Sequence, residues 1–274
     1  MNIDRSIFNL QNGAYIVTGG LGFLGFYHCK AIAAFGGTPI ALDLNLDNAS
    51  LLKKEIQNEY SVELICYEAD ITSKENLKKI AKNICKNFQI KGLVNNAARN
   101  PIVDNKGLKN NSRFENFPIE TWQLDLSVGL TGAFLSTQVF GSIMNNNEGG
   151  SIVNISSDLG IIAPKQSLYF QNGKPREEQS VKPVSYSVIK SGLIGLTRYT
   201  ATYWPEKIRC NCLCPGGILN NQSQDFLSKV NAEIPLGRLA NPGEYAGALI
   251  YLLSASSSYL NGSIISIDGG RTSW

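Results

Sequence analysis

The sequence predicts one α/β domain, doubly wound, with helices on both faces of a parallel sheet of about seven strands. Three observations predict it. Short apolar runs alternate with amphipathic segments along the whole chain, as strand–helix–strand units feeding a parallel sheet require. The 274 residues suffice for one substantial buried core. No repeat and no linker rich in Pro, Gly or Ser divides the chain, so residues 1–274 form one domain.

The strand runs are Ala14–Val17, Pro39–Leu42, Glu63–Tyr67, Gly92–Val94, Ser151–Ile155, Ile208–Leu213 and Ser263–Ile267. Their aliphatic residues suit a sheet covered on both faces. Ile119–Met144 and Ser185–Trp204 carry helical patterns between strands. Two long polar stretches, 99–118 and 161–184, read as loops, and the second reads as a substrate loop because it leaves and re-enters the site. Lys165, Gln166, Tyr169, Gln171, Asn172, Lys174 and Arg176 within it suit hydroxyl, carboxylate or phosphate groups, and Gly173 with Pro175 suits a hinged turn.

Composition excludes several classes. A hydrophobic fraction of 43% and a charged fraction of 17% are ordinary for a globular protein. The net charge of +3 is spread along the chain, without the dense Lys/Arg clusters that nucleic acid or a membrane surface calls for. A small-molecule substrate is expected instead. The N-terminus lacks the apolar centre of a secretory signal, and no run approaches the roughly 18 apolar residues of a bilayer span. Six scattered cysteines fit reduced thiols in the cytoplasm. Cys210, Cys212 and Cys214 alternate along a strand, where same-face sulfurs should diverge, so no metal site is expected. His28 is the one histidine, which removes histidine-based hydrolytic or zinc chemistry, and it reads as a packed helix residue.

The first strand runs into Thr18-Gly19-Gly20-Leu21-Gly22-Phe23-Leu24-Gly25 and then a helix. Gly19, Gly22 and Gly25 let the backbone turn and approach a pyrophosphate, while the helix start at Phe23 and Leu24 offers free N–H groups and a positive dipole end. Asp43 ends the second strand, where a carboxylate accepts from ribose hydroxyls and repels a 2′-phosphate. The cofactor expected is therefore NAD.

Tyr186 and Lys190 stand four apart on one face of a helix. Tyr203 and Lys207 share the spacing, but Pro205 between them breaks the turn. A phenol of ordinary pKa, about 10, is a poor base at neutral pH. A neighbouring ammonium and a positive nicotinamide ring both favour phenolate and should bring it toward the working range. Ser157, just past the fifth strand, can hold the substrate oxygen beside the phenol; a capping hydroxyl is its structural alternative.

Together these residues resemble the short, single-domain branch of the short-chain dehydrogenase/reductase family, almost end to end. The motifs are the glycine loop, Asp43, Asp70-Ile71, Asn95-Asn96-Ala97-Ala98, Ser157, Tyr186 with Lys190, Pro215-Gly216-Gly217-Ile218, Pro235-Leu236-Gly237-Arg238 and Asp268-Gly269-Gly270. The resemblance implies a Rossmann-type fold, hydride transfer with a nicotinamide cofactor, and a homodimer or homotetramer. It implies Ser157, Tyr186 and Lys190 as catalytic. It implies Asp70 and Ile71 at the adenine, Asn96 and Ala97 along the cofactor, and Pro215, Gly216 and Ile218 beside the nicotinamide. Three departures stand out: a glycine spacing typical of the family's longer branch, Gly129 in place of a catalytic Asn, and Asn220 in place of a Thr. The loop, the segment before Tyr186 and Pro215–Ile218 also look like oxidoreductases of bacterial surface-glycan and flagellin-glycan pathways, which implies a sugar or sugar-derived alcohol. An epimerase or dehydratase that retains its NAD, and a nucleotide-sensing protein without chemistry, are the alternatives; fold alone does not separate them.

Overall fold

The computed structural model describes residues 4–99 and 112–274. Seven strands form one sheet: β1 (Ala14–Thr18), β2 (Thr38–Asp43), β3 (Ile65–Glu68), β4 (Ile90–Asn95), β5 (Gly150–Ile155), β6 (Ile208–Pro215) and β7 (Ile264–Ile267). They run in the order β3-β2-β1-β4-β5-β6-β7, and every pairing is parallel. Each expected strand is present within a residue or two of its expected ends. β3 starts late, since Glu63 and Leu64 precede the pairing with β2.

The helices are α1 (Phe23–Ala34), α2 (Ala49–Tyr60), α3 (Lys74–Ile84), α4 (Ile119–Asn146), α5 (Val184–Tyr203), α6 (Gln224–Asn231) and α7 (Ala246–Leu253). Successive residues of the central strands enter opposite cores. Ile16, Leu93 and Ile152 pack on one side with Leu77, Ile80 and Phe140, whereas Val17, Val94 and Val153 pack on the other with Ile32, Ile56 and Leu249. Burying such a side chain contributes about 1.5–3 kcal/mol, which is why these strands read as unbroken apolar runs. Among the described residues, α4 alone has the length and apolar character to cross a membrane; here Val139, Phe140 and Met144 bury one of its faces in the first core.

Two smaller expectations meet the structure differently. His28 is indeed packed inside α1, and burial pulls its pKa down to about 3, so it is neutral. The sulfurs of Cys212 and Cys214 do not diverge. They lie 3.8 Å apart, within reach of a thiol–thiol hydrogen bond. Of the expected loop 99–118, residues 100–111 lie outside the described residues.

Order 3-2-1-4 reverses the winding between β1 and β4, and the crevice outside the carboxyl ends of the strands opens there.

Candidate active site

A cleft of about 720 Å³ lies along those strand ends. Every residue expected at the cofactor or the chemistry lines it: Gly19, Gly22, Phe23, Leu24, Gly25, Asp43, Asp70, Ile71, Asn96, Ala97, Ser157, Tyr186, Lys190, Pro215, Gly216 and Ile218.

At one end, Gly19 takes φ +62°, a left-handed conformation that turns the chain out of β1. Gly22 donates its N–H to the Gly19 carbonyl, at 3.2 Å. A Cβ on Gly25 would meet that same carbonyl oxygen at 2.0 Å, so no other residue lets α1 approach the turn. Asn96 locks the loop from β4, its Nδ2 donating to the carbonyls of Thr18 (3.0 Å) and Gly19 (3.2 Å). Asp43 accepts from the Leu21 N–H at 3.0 Å through one carboxylate oxygen. No side chain caps α1, so its first N–H groups remain for an anion. This cradle fits a dinucleotide: glycines where the backbone must approach, free amides for a pyrophosphate, and a carboxylate at the end of β2.

At the other end, β5 and α5 are tied twice. Ser156 Oγ donates to the Lys190 carbonyl at 2.6 Å, and Lys190 Nζ donates to the Ile155 carbonyl at 2.7 Å. These bonds hold Ser157 against Tyr186. Both readings of Ser157 apply together: its hydroxyl accepts from the Leu159 N–H (3.2 Å), capping a short turn, while lining the cleft. The expected downward pull on the phenol does not appear from the chain's own groups. Burial pushes the Tyr186 pKa up to about 12, with the Ser157 hydrogen bond opposing. Lys190 sits 5.6 Å from the ring centroid, committed to a carbonyl, and burial pulls its own pKa down to about 8. The decoy pair is outside: Tyr203 is exposed and stacks on Tyr199, and Lys207 bonds the Asn147 carbonyl.

Three cleft residues were not singled out from the sequence. Asp158 and Arg271 form a buried ion pair at 2.8 Å, linking the turn after β5 to the last residues of the chain. Asp158 also accepts from Ser157 Oγ at 2.7 Å. Lys182 places its ammonium 3.9 Å over the Tyr186 ring centroid. Adjacency to Ser157 is the one local signal for Asp158; nothing local marks Arg271.

The departures have structural counterparts. Gly129 lies in a π-helical turn of α4, and a Cβ there would meet Ile189 Cγ2 at 2.7 Å. The glycine permits close packing against α5 beside Lys190, so an Asn here would displace Ile189 before it could act on any proton relay. Gly129→Ala should cost about 1–3 kcal/mol through overpacking, seen as a lower midpoint in urea unfolding. Asn220 and Gln222 both line the cleft, and Asn220 donates its N–H to Gln222 Oε1 at 2.7 Å.

The segment 161–184 is an ordered strap. Gln179 ties it internally, accepting from the Gln171 N–H and donating to the carbonyls of Gln171 and Lys174. Leu168 docks it among Val230, Ile234 and Leu239. Of the polar residues expected to meet substrate, Tyr169 lines this cleft; Lys165 instead pairs with Glu233 and Gln166 holds the Lys182 N–H. Those side chains sit on the strap's outer face or close it upon itself.

The profile described as enoyl-(acyl carrier protein) reductase matches residues 24–272. The chain is 33% identical to post-translational flagellin modification protein A of Campylobacter coli, covering 95% of this chain and 98% of that protein. It is 30% identical to a 3-oxoacyl-(acyl carrier protein) reductase of Aquifex aeolicus, over 95% and 98%. Weaker similarity, 27% over 97% and 96%, links it to an NAD-dependent glycerol dehydrogenase of Listeria innocua, and 28% over 97% and 94% to an NADP-dependent mannitol dehydrogenase of Alternaria alternata. Among solved structures, a short-chain type dehydrogenase/reductase from Mycobacterium marinum superposes with a TM-score of 0.82 at 26% identity, over 97% and 98%.

Proposed function

This chain belongs to the short-chain dehydrogenase/reductase family, and from that premise we propose that it interconverts a secondary alcohol and a ketone on a sugar or sugar derivative, with NAD as its nicotinamide cofactor. The observation that carries this reading is the convergence of Ser157, Tyr186 and Lys190 on one end of a cleft whose other end is a glycine cradle closed by Asp43. Similarity to glycerol and mannitol dehydrogenases and to a flagellin-modification protein supports the substrate class.

In the oxidation direction, Tyr186 removes the hydroxyl proton while Ser157 holds the same oxygen. Lys190 keeps positive charge beside the phenol and anchors the cofactor ribose. When bound, the nicotinamide accepts or returns the hydride, and its positive ring lowers the cost of phenolate. Gly19, Gly22 and Gly25 admit the pyrophosphate to the backbone of Phe23 and Leu24, and Asp43 takes the adenosine ribose. Asp70, Ile71, Asn96, Ala97, Pro215, Gly216 and Ile218 wall the remaining length. Mixing purified protein with NAD and a panel of sugar alcohols tests the reading directly: NADH absorbance is expected, and silence across the panel would overturn it.

Two finer expectations belong to this reading. Asp43 ends β2 in the cleft, where its carboxylate would repel a 2′-phosphate, so NAD should exceed NADP in kcat/KM by about tenfold or more, and Asp43→Ala should narrow the gap. Equal turnover with both cofactors would refute NAD specificity. The strap 161–184 serves as the substrate loop, excluding water from the hydride path. Undocking it with Leu168→Asp should raise the substrate KM by roughly tenfold while NAD affinity persists, as expected for losing closure rather than cofactor contacts.

The enzyme works in the cytoplasm as a homodimer or homotetramer. Leu124, Phe134, Val188, Tyr199 and Tyr203 are exposed on α4 and α5 and supply apolar surface for the partner.

A further inference from the structure

The substrate end of the cleft holds a cation, Lys182, that the chemistry above does not use and that no carboxylate pairs among the described residues. Lys182 is where the strap returns to α5, and its backbone N–H is pinned to Gln166 Oε1 at 2.9 Å. Its ammonium lies over the ring of Tyr186, 3.9 Å from the centroid, and faces the cleft. Among the described residues no carboxylate pairs with it and no acceptor takes its protons. The nearest acid is already engaged. Asp158 takes Arg271 Nη1 at 2.8 Å, Ser157 Oγ at 2.7 Å and the Leu159 N–H at 2.8 Å. Lys190 is likewise engaged with the Ile155 carbonyl. This wall therefore presents three cations, Lys182, Lys190 and Arg271, against one carboxylate.

The charge of Lys182 is also strained by its position. Burial pulls its pKa down to about 8, and Lys190 adds to that pull while Asp158 opposes it. A neutral polyol closing over such a group would strip its water and return hydroxyl acceptors but no counter-charge, which is costly. An anionic group placed there repays the desolvation and restores the charge. Because the ammonium rides on the Tyr186 ring, whose hydroxyl meets the reacting oxygen, that anion sits close along the substrate to the carbinol carbon.

We propose that Lys182 anchors an oxyanion, carboxylate or phosphate, carried by the substrate near its reacting alcohol, so that the substrate is an anionic sugar derivative rather than a neutral polyol. This rests on the oxidoreductase reading and narrows its substrate class.

The test compares gluconate, glucitol 6-phosphate and glucitol as substrates with NAD, in the wild-type protein and in Lys182→Met and Lys182→Arg. At least one anionic compound is expected to exceed glucitol in kcat/KM by about tenfold or more, chiefly through KM, and the two anions separate carboxylate from phosphate. Lys182→Met should collapse that ratio toward one, Lys182→Arg should restore much of it, and NADH fluorescence titration should show cofactor binding intact in both. A wild-type preference for glucitol, or an anion preference untouched by Lys182→Met, overturns the proposal. Calorimetric titration of the protein–NADH complex with the same two anions separates the two levels of inference. Anion binding that disappears in Lys182→Met, with no NADH formed from any compound, sinks the oxidoreductase reading and leaves the anion site standing. Absence of Lys182-dependent anion binding sinks the anion site whatever the enzyme turns over.

Discussion

Tyr186→Phe should lower the rate of alcohol oxidation by about a hundredfold or more, with NAD binding retained. The phenol lines the cleft beside Ser157, on the helix α5 that the Ser156–Lys190 and Lys190–Ile155 bonds clamp to β5. Phe keeps the ring, its packing and its contact with the Lys182 ammonium, so the fold and the cofactor end stay intact. It removes the one group placed to take the proton. The pH dependence gives a second signature. The chain's own groups hold the phenol up at about 12, so phenolate grows scarcer as pH falls. Oxidation should therefore accelerate with rising pH over the range where a bound positive nicotinamide ring brings the phenol into titration, and this limb should vanish in the Phe variant. Lys190→Ala should damage both rate and NAD affinity, since that ammonium serves phenol and ribose together. Near-normal turnover by Tyr186→Phe would remove the catalytic assignment.

What could be read in advance was what short segments decide for themselves. The central strands are runs whose alternate residues fill two cores, and apolarity without a period of its own is the mark of a strand buried on both faces. The glycine loop was legible because its geometry demands missing side chains: the 2.0 Å approach of a Gly25 Cβ to the Gly19 oxygen leaves no alternative. Tyr186 could be told from Tyr203 because Pro205 makes a local veto. Other features need distant partners. Arg271 meets Asp158 across 113 positions, and neither neighbourhood shows the other. Nothing local marked Lys182, which the strap brings over the Tyr186 ring. Gly129 read as the place of a missing catalytic Asn; that a Cβ there would meet Ile189 at 2.7 Å was not visible locally. The phenol's charge balance also escaped, because burial dominates it and Lys190 Nζ, 5.6 Å from the ring centroid, bonds the Ile155 carbonyl. Of the strap's polar side chains, Lys165 pairs with Glu233 and Gln166 holds the Lys182 N–H, and polarity alone does not reveal which way a loop faces.

Asp158→Ala should destabilise the protein by about 3–5 kcal/mol, because it leaves Arg271 buried without its counter-charge. Both side chains are almost fully enclosed, 4% and 9% exposed, so solvent cannot compensate the guanidinium. For a chain of this size such a loss corresponds to a fall of roughly 5–9 °C in Tm. Replacing both partners by apolar residues, Asp158→Leu with Arg271→Met, removes the stranded charge instead of exposing it. Stability should then recover to within about 1–2 kcal/mol of the parent, since buried pairs often gain little over apolar packing. Catalysis should not recover with it. In the parent, Asp158 Oδ1 accepts a hydrogen bond from the Ser157 hydroxyl and another from the Leu159 N–H, which orients Ser157 Oγ beside Tyr186. Without that acceptor the hydroxyl turns freely, and kcat should stay down by about tenfold, as for a misplaced reacting group. Urea unfolding and steady-state rates on the same three proteins read the two effects apart. A double variant restored in both stability and rate would show that the pair only braces the C-terminus; one restored in stability alone makes Asp158 the residue that sets Ser157 in place.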